Sequence, residues 1–114
     1  MHNEYKSLSL IKNCLNNCTP ILKEINSATK QQFSNDANLI MLATGITSEI
    51  KNFLDYISLD FLALNKELSE IIIPIKKYCS SFINIYGFAN TYRLYDFFKI
   101  DLSKLKEYLN KSIN

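Results

Sequence analysis

Leu8, Ile11, Leu15, Cys18, Leu22 and Ile25 recur at intervals of three and four residues, and Leu39, Leu42, Ile46, Ile50, Phe53 and Ile57 nearly repeat the rule. Such intervals put side chains on one face of an α-helix, whereas a strand would need strict alternation. The first stripe crosses Thr19-Pro20. Proline lacks a donor and clashes with the carbonyl four residues back, so the pattern predicts either two helices, the second capped by Thr19 with Pro20 at its first position, or one helix kinked at Pro20. The cap-rich stretch Phe33-Ser34-Asn35-Asp36 marks either a boundary or the frayed start of the next helix. A long helix is expected over about 35–56, with Gly45 inside it as a site where another helix comes close.

Ser58 is the expected cap of the next helix, which carries Phe61, Leu64, Leu68, Ile71, Ile72 and Ile75 and is kinked or restarted at Pro74. Its continuation through Cys79, Phe82, Ile83 and Tyr86 is expected to stop at Gly87. A short aromatic helix over 91–98 and a last one capped by Asp101 complete the chain. No segment alternates as a strand would. The prediction is an all-α single domain over 1–114, an antiparallel long-helix hairpin or small helical bundle with kinked helices at Pro20 and Pro74.

A chain of 114 residues suffices for one modest core, near the size at which a partner often supplies further burial. Its net charge of +2 is unevenly placed: residues 1–89 carry eight Lys against eight Asp and Glu, so the whole excess falls in 90–114. Lys12 and the asparagines at 13, 16 and 17 interrupt the early apolar positions, and no apolar run is long enough to span a bilayer. The expectation is a cytoplasmic protein. Its three cysteines, an odd number, are expected to be reduced thiols rather than a disulfide framework.

Catalytic and metal chemistry find few residues to work with. Cys14 and Cys18 lie one turn apart, but a structural zinc site needs four ligands and only Cys79 and His2 could join them. Neither Ser80 nor Cys79 has a histidine to activate it, and Glu67 and Glu70, with Lys66, Lys76 and Lys77 nearby, read as a solvated face. No enzyme, cofactor or metal is expected. Residues 98–109 have helix-turn-helix spacing, with Asp101 as cap and Leu102, Ser103 and Lys106 facing bases. Against this, Lys99 and Tyr95 stand where that motif prefers glycine and a small residue, and Arg93 is the only arginine available for guanine.

The apolar residues exceed what one helical face can bury in two places, Ile71, Ile72, Ile73 and Ile75, and then Phe82, Tyr86 and Phe88. These are the expected apolar surface or self-association residues of a homo-oligomer.

The segment Tyr56-Ile57-Ser58-Leu59-Asp60-Phe61-Leu62-Ala63-Leu64-Asn65-Lys66-Glu67-Leu68 resembles the phasin family, proteins that coat polyhydroxyalkanoate granules. Phasins share a long helix, a break with a small residue followed by an acidic one, an apolar-rich turn and a second long helix. The similarity covers roughly residues 20–99. The chain departs in having five alanines and in placing Pro74 inside the second helix. The resemblance implies a non-catalytic protein that adsorbs through amphipathic helices to a hydrophobic polymer or lipid surface. The alternative is a small helical protein-interaction module of immunity, adaptor or antitoxin type, with a DNA-binding variant behind it.

Overall fold

Asn-, Ser-, Thr- and Asp-led turns mark most of the helix starts, and their side chains satisfy orphan N–H groups of the helix that follows. The computed structural model of the chain describes residues 4–84 and 90–112, and the side chains of all of these except 82–84. Its elements are α1 (Glu4–Asn17), α2 (Thr19–Ser27), α3 (Lys30–Ser34), α4 (Ala37–Leu54), α5 (Leu59–Ala63), α6 (Lys66–Asn84), α7 (Thr91–Asp96), a π-helical turn (Phe97–Leu102) and α8 (Ser103–Ser112). No strand occurs among the described residues. The protein is all-α.

The caps are specific. Thr29 and Gln32 form a reciprocal capping box at α3, Asp36 accepts from the Leu39 N–H at 3.0 Å, Ser58 from Phe61 at 3.1 Å, and Asn90 from Tyr92 and Arg93. The expected cap at Thr19 is not formed. Its hydroxyl instead donates back to the Asn16 carbonyl at 2.7 Å, while α1 and α2 separate only at Cys18. Pro20 falls in the first turn of α2, where a missing N–H costs nothing. Helix α6 runs through Pro74, with helical residues on both sides.

The first stripe is core except at Cys18, which is half-buried: Leu8, Ile11, Leu15, Leu22 and Ile25 are all buried. In the second, Leu39, Ile46, Ile50 and Ile57 are buried, Phe53 is partly so, and Leu42 faces out. These residues join Phe33, Phe97 and Phe98 in one continuous cluster. Helix α1 lies against α4 and α8, and α6 against α4, α5, α8 and the π turn. A Cα radius of gyration of 13.8 Å is close to the ~13 Å of a globular chain this long.

Two expectations fail. Gly45 admits no neighbouring helix: it is exposed, and a Cβ built there would meet nothing within 4 Å. Nor does a new helix begin at Asp101. Residues 91–112 wind without a turn, because Asp96, Phe97 and Ser103 all keep right-handed helical angles while the register loosens to π over 97–102. The wider turn packs Phe97 onto Tyr78 of α6, ring centroids 4.3 Å apart, and leaves the Ser103 hydroxyl to donate to the Phe98 carbonyl five residues back.

Candidate interaction surface

A 14-residue amphipathic α1 brings its first turn to the start of α5. There Glu4 accepts from the Ser58 hydroxyl at 2.9 Å, and Tyr5 packs edge-on against Phe61 with centroids 5.2 Å apart. Ile57 and Leu62 point inward and are fully buried. The intervening positions therefore point out: Tyr56 is 61% exposed, Leu59 65% and Leu64 86%, with Tyr5 at 67% beside them. Large apolar side chains gathered round one turn mark contact surfaces more often than isolated ones do. Three of the four, Tyr56, Leu59 and Leu64, lie within residues 56–68, the stretch on which the phasin resemblance rests.

The sequence pointed instead to the isoleucine run. Ile72 and Ile75 are fully buried, and Ile71 and Ile73 are half-buried against the core, because α6 is covered by α4, α5, α8 and the π turn. Ile72 and Ile75 therefore offer no apolar surface, while Ile71 and Ile73 keep part of theirs exposed. The side chain of Phe82, together with Tyr86, Phe88 and the expected stop at Gly87, lies outside the described residues. Leu64 was missed because periodicity counts it toward the helical stripe that begins at Phe61, and Tyr56 and Leu59 because they fall between the stripes. The signal was available in α5, only five residues long, which cannot bury both Leu59 and Leu64.

The helix-turn-helix reading does not survive the geometry. The motif needs a turn, and none separates α7 from α8. Leu102 is buried, and Lys106 donates to the Thr19 hydroxyl at 3.1 Å instead of pointing away from the body. Tyr95 is buried and donates to the Ala28 carbonyl, with Lys99 donating to its oxygen at 3.1 Å.

The cysteines are free. Burial pushes Cys14 and Cys79 up to about 12, reinforced at Cys14 by the Glu49 carboxylate, and Cys18 is raised by burial as well. A thiol in that state is a poor nucleophile and a poor metal ligand. Among the described residues no three His, Cys, Asp or Glu side chains converge as a metal site would require. No helix among them is long and apolar enough to cross a membrane.

Shallow clefts run along α8. One of about 240 Å³ lies between α2 and α8 over Leu22. Another, of about 330 Å³, is lined by Glu70, Ile71, Pro74, Asp101 and Lys104. Burial holds the Asp101 carboxyl above its usual range there, with Lys104 and Arg93 opposing the shift. The first of these clefts is rich in donors, while the second balances two carboxylates against one ammonium. No family model, curated protein or solved structure matches the chain.

Proposed function

We infer that this protein is a non-catalytic interaction module of the cytoplasm that docks a protein partner, a second copy of itself included, on the apolar corner formed by Tyr5, Tyr56, Leu59 and Leu64. The observation that carries the reading is Leu64, 86% exposed at the end of a five-residue helix. Met41 and Leu42 of α4 are exposed as well, but the corner gathers Tyr5, Tyr56, Leu59 and Leu64, the last more exposed than either of them. A small bundle with bends at Pro20 and Pro74 suits this reading better than an open hairpin, since α4 and α6 each pack against several elements.

Phasin-like adsorption to a hydrophobic granule or lipid surface is the second reading. It is favoured by one observation: the stretch that resembles phasins holds three of the corner's four exposed side chains. Met41 and Leu42, exposed on α4, would add to such a surface, while the buried stripes of the long helices would contribute only if the core opened. Both readings dispense with cofactors.

The test is the variant Tyr56→Ser/Leu59→Ser/Leu64→Ser. It should keep the far-ultraviolet helical signal and thermal midpoint while losing partner binding or self-association in sedimentation. Unchanged association in a folded variant would refute the docking corner. Retained partner binding together with lost adsorption to apolar beads would favour the phasin-like reading.

A further inference from the structure

We propose that the cleft between α2 and α8 binds a small phosphate-bearing molecule, a site separate from the apolar corner. One wall supplies Thr19, Lys23 and Asn26, and the other Lys106, Glu107 and Asn110. Lys106 spends one ammonium hydrogen on the Thr19 oxygen at 3.1 Å, which fixes its position and leaves two hydrogens for a ligand. The amides of Asn110 and Asn16 exchange hydrogen bonds at 3.1 and 3.3 Å and fasten α8 to α1 beside the cleft. Lys23 and Asn26 have no side-chain partner among the described residues. Glu107, the acid on these walls, is already paired with Lys111 at 3.0 Å.

The cleft thus presents two ammonium groups and an unused amide from opposite sides, with its acid, Glu107, held in an exposed ion pair by a residue outside it. A tetrahedral phosphate has oxygens for both walls, where a planar carboxylate has two, and lysine serves phosphate well as a point charge. A volume of about 240 Å³ falls below the ~300 Å³ at which drug-sized pockets begin, so the ligand is a phosphate on a small organic group. The neighbouring cleft at Glu70 and Asp101 would repel such a ligand.

The experiment is amide NMR of the full chain titrated with inorganic phosphate at constant ionic strength, with acetate as the comparison anion. Saturable shifts are expected at Lys23, Asn26, Lys106 and Asn110, weaker with acetate. Lys23→Gln should weaken binding by about tenfold, the loss of one charge-assisted hydrogen bond, and Lys106→Gln by a similar factor. Lys104→Gln should leave it unchanged. Lys23 makes no internal bond, so its variant keeps the fold and the test stays decisive. Shifts spread evenly over surface lysines, absence of saturation, or an unchanged affinity in Lys23→Gln would overturn the proposal.

Discussion

Lys76, midway along α6, donates from its ammonium to the carbonyl of Leu54, the last residue of α4, at 2.8 Å. The same group reaches the Ile57 carbonyl at 3.0 Å. Carbonyls at a helix C-terminus lack internal partners and carry the negative end of the dipole, so a cation from a neighbouring helix satisfies both needs. The contact also holds the turn from which Tyr56 projects. Lys76→Met should therefore cost about 1.5–3 kcal/mol, the worth of hydrogen bonds to a charged group. Urea denaturation measures it, and an unchanged midpoint would show the contact to be idle.

Gly45 gives a prediction of opposite sign. It sits inside α4, exposed, with open space where a Cβ would go. Gly45→Ala should stabilise the protein by about 0.5–1 kcal/mol, through helix propensity and a less flexible unfolded chain. Thermal melting reads this as a rise of a few degrees. A fall would mean that another helix does approach Gly45, as the sequence had suggested.

Core and corner should respond differently to truncation. Phe97→Ala removes a buried ring stacked on Tyr78 and should cost about 3–5 kcal/mol. Leu64→Ala, at an exposed site, should change stability by less than about 0.5 kcal/mol. Chemical denaturation of both variants checks the contrast.

The thiols predict an alkaline limit. Cys14 and Cys79 titrate near 12 in the folded protein against an ordinary 9.0. A group raised on folding contributes stability that is fully present below its unfolded pKa and is lost as pH rises through the folded one. Stability should thus decline between pH 9 and 12. At neutral pH, a thiol-reactive disulfide reagent should modify half-buried Cys18 first and the other two only on unfolding. Equal rates for all three in the native state would contradict the burial.

Helix positions were legible wherever periodicity and caps agreed. The stripe from Leu8 to Ile25 is the packed face of α1 and α2, and Ser58 caps α5 as its spacing implies. What failed was the direction in which an all-apolar run points. Ile71, Ile72, Ile73 and Ile75 cover several sides of α6, and only the tertiary packing of α4, α5 and the π turn decides that Ile72 and Ile75 are buried while Ile71 and Ile73 are half-covered. The continuous helix over 91–112 was obscured by Asp101, a good cap residue standing in mid-helix. The sequence between 91 and 112 contains neither glycine nor proline, and that absence was the legible clue.

Photocrosslinking from position 64 tests the central claim most directly. A photoreactive phenylalanine placed at Leu64 in the full chain, with Gln31 on the exposed face of α3 as the control position, is illuminated in cells. The docking account predicts a discrete protein adduct from position 64, either a second copy or another chain, and none from position 31. No adduct at 64, equal adducts from both positions, or adducts formed only with a sedimenting hydrophobic granule would contradict it.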